Sequence, residues 1–283
     1  MAKPPPCFGL PGRIRNIIHK AVCASVYLFL VAPILVIIPL SFNAEPYFTF
    51  TPGMLTFDPE AFSTRWYRDI WDNEQWLRAI RNSFFIGISA AVIATTLGTV
   101  AALGLSQASM PYRTAIMAVL LSPMIVPVII TAAGLYFFYS GIGLSQTFPG
   151  LILAHATLGA PFVVITVTAT LSGFDRSLTR ASASMGATPA YTFFHIIAPL
   201  IAPGVISGGL FAFIISFDEV VAVLFLSGTE QRTIPRQMWS GIRESISPTI
   251  LAVATLLILV SVMLLLTLEV LRRRNERMRG IGI

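Results

Sequence analysis

Four stretches of the chain, Ala21 to Ala44, Asn82 to Tyr112, Thr114 to Phe174 and Ser245 to Leu268, contain no Asp, Glu, Lys or Arg. Each meets or exceeds the roughly 20 residues a helix needs to cross the hydrocarbon core of a bilayer. The composition agrees. Hydrophobic residues make up 55% and charged residues 11%, with a mean hydropathy of +0.78, against a soluble norm of about 25% charged. A bilayer core offers no water to unpaired backbone groups, and these runs are longer than any barrel strand, so the spans are helices. The chain reads as an all-α polytopic membrane protein.

Turn residues and charges divide it into six transmembrane helices, at about 22–42, 82–105, 114–140, 149–172, 201–226 and 248–271. The run from Thr114 to Phe174 holds two of them, because Ser140-Gly141-Ile142-Gly143 and Pro149 interrupt it. Of 19 Lys and Arg, twelve fall on the side that holds both termini. The excess of positive charge predicts both ends in the cytoplasm. A cytoplasmic tail over 1–21, a transmembrane domain over 22–271 and a basic cytoplasmic tail over 272–283 follow, with no segment long enough to fold alone and no tandem repeat. The first apolar run is too long for a signal peptide and lacks its small-residue cleavage pattern.

The net charge of +6 sits at helix ends and reports orientation, not affinity for nucleic acid. Cys7 and Cys23 are too few for a thiolate metal site or a disulfide framework. No metal-spaced cluster and no nucleophile elbow is present, so no catalytic residue is assigned. The only lysines, Lys3 and Lys20, are not in a G-K-[ST] arrangement. With no phosphate-binding loop of that kind, no ATP or magnesium site is expected in this chain. The four tryptophans, Trp66, Trp71, Trp76 and Trp239, fall on loops opposite the termini and suit an interfacial belt. Trp66 could alternatively offer its π face to a cationic solute.

The segment from Gly173 to Gly204 is long for a helical hairpin. Ser177 or Thr179 can cap a short helix through Met185, Gly186 breaks it, and Thr188-Pro189 starts a second. Apolar Met185, Tyr191, Phe193, Phe194, Ile196 and Ile197 on such a loop need a protein surface over them, whether the chain's own helix ends or a partner. This segment resembles the "EAA" loop of binding-protein-dependent transporter permeases, with Ala181, Gly186, Ala187, Phe193, Ile196, Ile197 and Pro199 in place. Arg180 and Ser182 stand where that family has Glu and a second Ala. The resemblance covers the chain from about Trp66 onward. It implies a type I importer permease fold in a bacterial inner membrane, with loop 173–200 as the coupling loop. Its implied partners are a second permease subunit making a heterodimer, two ATPase subunits that bind ATP and magnesium, an extracytoplasmic solute-binding protein, and lipid.

Asp218 and Glu219 lie on the expected fifth helix, only about 8 Å from its midpoint at 1.5 Å per residue. Acids at that depth face a partner or a wet cavity. The alternatives are an ion pair with Arg81, Arg232 or Arg243, or cation recognition along a pathway. Ser216 shares a face with Glu219, while Asp218 points about 100° away. The string Ser216-Phe217-Asp218-Glu219 is similar to the site in polyamine permeases where a Ser and an acidic pair bear on substrate passage. Trp66 matches a tryptophan of the same family. Met124, after Ser122-Pro123, replaces an acid of that pattern. The resemblance thus implies passage of spermidine, putrescine or a related amine, with amino acids and opine-type conjugates as other solutes. A rival class, the secondary transporter or channel, would show an inverted repeat or a broken-helix pair. His155 reads as a packed, hydrogen-bonded helix residue, and His195 as structural or interfacial.

Overall fold

The computed structural model describes residues 12–107, 110–244 and 247–278, and every regular element among them is helical. In order these are α1 (Gly12–Leu40), α2 (Pro52–Leu55), a 3-10 turn (Pro59–Ala61), α3 (Arg65–Asp72), α4 (Glu74–Leu105), α5 (Arg113–Ile125), α6 (Val128–Gly141), α7 (Phe148–Ser172), α8 (Ser177–Ser184), α9 (Pro189–Thr192), a π turn (Phe193–Ile197), α10 (Ala198–Asp218), α11 (Val221–Leu226), α12 (Ile234–Glu244) and α13 (Thr249–Met278). Cys7, much of the expected N-terminal tail and the end of the basic tail lie outside the described residues.

Several boundaries differ from the sequence expectation, each for a local reason. Hydropathy locates the apolar part of a helix but not its ends. The helix expected over 82–105 begins at Glu74, because the Asn73 side chain accepts the Gln75 amide at 2.9 Å and Glu74 suits a first turn. The single helix expected over 114–140 is two, bent by 101°. Pro127 explains this: it has no N–H to give and it forces Val126 out of the helical region, to φ −72° and ψ 133°. The helix expected over 201–226 starts at Ala198, stops at Asp218 and resumes as α11. Four helices are long and apolar enough to cross a membrane among the described residues, five if the bent pair is one span. The sixth expected span, 248–271, lies within the continuous helix α13, Thr249–Met278, whose apolar stretch among the described residues is Thr249–Met263.

The described residues fall into two compact units, one within Met1–Asp72 and Gly241–Ile283, the other Asn73–Ser240. In the larger unit α4, α7 and α10 pack on one another around Ala90, Ala94, Val163, Val167 and Ala212. Small residues set the spacing, as expected where lipid leaves helices little hydrophobic reason to associate. A Cβ at Gly98 of α4 would fall 2.7 Å from Val163 Cβ, and one at Gly159 of α7 would fall 3.0 Å from Ala212 Cβ. In the other unit α1 and α3 pack on α13. There Asn43, fully buried, donates to the Tyr47 and Thr49 carbonyls, while the Thr249 hydroxyl donates to Asp69 at 2.7 Å.

Candidate functional site

Loop 173–200 is an ordered bend of two short helices. Its first helix is capped by Asp175, not by Ser177 or Thr179. The Asp175 carboxylate accepts the Ser177 amide at 2.8 Å and the Ser177 hydroxyl at 2.7 Å, while Thr179 turns its hydroxyl back to the Arg176 carbonyl. These bonds to the charged form hold the Asp175 carboxyl below its ordinary pKa. Arg176 donates to the Ser106 carbonyl at the end of α4, tying the loop to that helix terminus.

The helix ends in a Schellman motif, with Gly186 N–H on the Ala183 carbonyl at 3.0 Å and Ala187 N–H on the Ser182 carbonyl at 3.2 Å. Gly186 has φ +81°, the left-handed region that favours glycine. Thr188 then caps α9 and Pro189 opens it, as the sequence indicated. Ser182, in the place of the second Ala, is buried and meets the buried Thr192 hydroxyl at 2.8 Å.

Between α9 and α10 the ladder widens into a π turn in which Ala198 N–H bonds the Phe193 carbonyl. Pro199 accounts for it, since its ring cannot sit against the carbonyl of His195 four residues back. Around this bend Phe193, Ile196, Ile197 and Ala187 are half-buried. Met185, Tyr191, Phe194, Arg180, Ala181 and Pro199 are exposed. Tyr191 stacks on His195 with ring centroids 4.0 Å apart. The chain's own helix ends therefore cover half of the apolar set and leave Met185, Tyr191 and Phe194 open, at 82%, 54% and 68% exposure.

The acids of the second region sit at a helix break. Asp218 is the last residue of α10 and is exposed; Glu219 follows it in extended conformation, φ −73° and ψ 118°. The expectation that both lie within one continuous helix is thus corrected. Glu219 Oε1 accepts the Ala222 amide at 2.8 Å and so caps α11. Neither acid pairs with Arg81, Arg232 or Arg243. The two ion pairs among the described residues both belong to Arg78, with Glu74 at 2.8 Å and Glu230 at 2.9 Å.

Ser216 does not share the open environment of Asp218. It is buried against α7, where its hydroxyl lies 2.8 Å from His155 Nδ1. His155 is fully buried and hydrogen-bonded, in keeping with its sequence reading. Nothing local in the sequence announces this pair, whose members are 61 residues apart. Trp66 belongs to the other unit. Its Nε1 donates to the Asn43 carbonyl at 2.7 Å and the Arg65 guanidinium lies 4.1 Å from its ring centroid, so the chain supplies a cation for that π face. Trp76 is buried, so the tryptophans do not all form an interfacial belt. Among the described residues no group of three His, Cys, Asp or Glu is placed to hold a metal ion.

The family model for the binding-protein-dependent transport system inner membrane component matches residues 94–277, and the chain belongs to that family of ATP-binding-cassette importer permeases. It is 31% identical to the spermidine/putrescine transport system permease protein PotC of Haemophilus influenzae, over 93% of this chain and 99% of that one. It is 32% identical to the putrescine transport system permease protein PotI of Escherichia coli, over 82% of each. Among solved structures, a bacterial alginate ABC transporter in complex with an alginate pentasaccharide-bound periplasmic protein shares the fold. Its TM-score is 0.66 at 18% identity, covering 93% of this chain and 96% of the other. One bent helix pair, the kind of feature that would have favoured a secondary transporter, is present; the family match decides for the importer. The chain is thus a transport component that acts with a partner permease, ATPases and a solute-binding protein.

Proposed function

We propose that this chain is one permease of a heterodimeric importer for polyamines or closely related cationic amines, with both termini in the cytoplasm. The observation that carries the cargo assignment is its alignment, nearly end to end, with a spermidine/putrescine permease. The exposed Asp218 carboxylate, without an ion-pair partner among the described residues, adds a group suited to an ammonium. Two partner ATPases bind ATP and magnesium, and loop 173–200 docks on one of them through Met185, Tyr191 and Phe194 beside Arg180. The bend at Gly186 then carries ATPase closure into α10, and an extracytoplasmic binding protein delivers the solute.

The test is uptake by the complete complex in proteoliposomes supplied with its binding protein. Radiolabelled spermidine or putrescine should enter only when ATP is present inside. Mass spectrometry of the purified binding protein should find an amine. ATP-dependent entry of a neutral sugar, with no amine uptake, would overturn the cargo assignment while leaving the permease in place.

A further inference from the structure

α10 stops where a straight helix would continue, and a side chain from another helix sits on its end. His155 Nδ1 of α7 lies 2.8 Å from Ser216 Oγ and 3.1 Å from the Ser216 carbonyl oxygen. Because α10 ends at Asp218, that carbonyl is among the last four of the helix, which have no amide one turn further on to satisfy them. The imidazole therefore does from the side what a C-cap does along the axis. Its approach is set one turn further along α7 by Gly159, where α7 and α10 come so close that a Cβ would meet Ala212 Cβ at 3.0 Å. His155 is wholly buried and Ser216 nearly so, at 0% and 4% exposure. Water does not compete for this bond, and its loss would leave a buried polar group unpaired.

We propose that His155 is a positioning residue of the translocation pathway: its Nδ1 holds the terminal turn of α10 and fixes where the chain breaks at Asp218 and Glu219. The proposal rests on the reading of those acids as pathway residues. Ser216 then acts through its hydroxyl and carbonyl toward α7, not by touching solute.

The two side-chain amides separate this role from bulk packing. Asn carries a nitrogen at the position of Nδ1, whereas Gln carries one at the position of Nε2. The complete complex is made with His155→Asn, His155→Gln and His155→Leu, each with and without Asp218→Cys, in a background lacking Cys7 and Cys23. Assembly is read by co-purification, and transport by the separate effects on KM and maximal uptake. The rate at which a water-soluble maleimide modifies residue 218 reads the position of the break without reference to cargo. The Asn variant should stay within about twofold of the parent in both transport and modification rate. Gln and Leu should lower maximal uptake and shift the modification rate by about five- to tenfold, the scale of one lost buried hydrogen bond. Equal behaviour of Asn and Gln, unchanged modification in both Gln and Leu, or failure of Asn and Gln alike to assemble would each overturn the proposal. A changed modification rate with unchanged uptake would uphold the positioning and remove the acids from the pathway.

Discussion

Ser182 and Thr192 meet hydroxyl to hydroxyl at 2.8 Å inside the bend of loop 173–200, and both are buried. Thr192 also gives its proton to the Thr188 carbonyl at 3.1 Å. Ser182 is then the donor and Thr192 the acceptor. The consequences of removing the two hydroxyls are unequal. Ser182→Ala leaves Thr192 bonded to Thr188 and should cost about 0.5 to 1 kcal/mol, while Thr192→Val strands a buried donor and should cost about 1 to 3 kcal/mol. The double variant should recover most of the difference. Thermal unfolding of the purified complex measures the order, and equal losses in the two single variants would refute the assigned proton direction.

Gly186 separates conformation from space. Its φ is +81°, yet a Cβ built there has no atom within 4 Å. A substitution is penalised by the backbone alone, by about 1 to 2 kcal/mol for an ordinary residue and less for Asn, which visits the left-handed region more readily. ATP-dependent uptake should therefore fall in the order Gly, Asn, Ala, Val. Val transporting as well as Gly would show that the turn is dispensable.

The elements that sequence made legible are those whose signals are local. The glycine turn at Gly186, the Thr188-Pro189 start and the α7 boundaries each depend on neighbours within a few residues. The interruption at Pro127 is equally local and reads from sequence as a kink in one helix, but the 101° size of the bend does not. What escaped was pairing at a distance. The α10 break depends on His155 and on the capping duty of Glu219, and neither follows from a hydropathy profile. Asp175 could have been found, since an acid two residues before a helical Ser is a capping signal.

The two acids at the break should behave differently despite being neighbours. Glu219 already uses one oxygen on the Ala222 amide, whereas Asp218 is exposed at the end of α10. Asp218→Asn should raise the KM for an amine with little change in complex stability. Glu219→Ala should lower stability by about 1 kcal/mol through the lost cap, and Glu219→Gln, which keeps an acceptor, should restore most of it. Uptake kinetics and thermal unfolding on the same preparations distinguish them; a stability loss in Asp218→Asn equal to that in Glu219→Ala would argue against the division of labour.

Rescue across the α4, α7 and α10 contact should depend on which atom stands in the way. A Cβ at Gly209 would meet Thr95 Oγ1 at 2.7 Å but Thr95 Cβ only at 3.8 Å. The obstacle is the hydroxyl, and Gly209→Ala should be relieved by Thr95→Ala. At Gly98 the nearest obstacle is Val163 Cβ itself at 2.7 Å, followed by Val163 Cγ1 at 2.9 Å and the Ala160 carbonyl at 3.3 Å. Val163→Ala removes Cγ1 but keeps Cβ, so the closer of the two clashes remains while two buried methyl groups are lost. Overpacking of this kind typically costs about 1 to 3 kcal/mol. The Gly209 pair should return to within about 0.5 kcal/mol of the parent, the Gly98 pair should stay well below the parent, and thermal unfolding of the assembled complex reads both. Rescue at Gly98 by Val163→Ala would mean that α4 and α7 can move apart without cost, and that the small residues do not set their spacing.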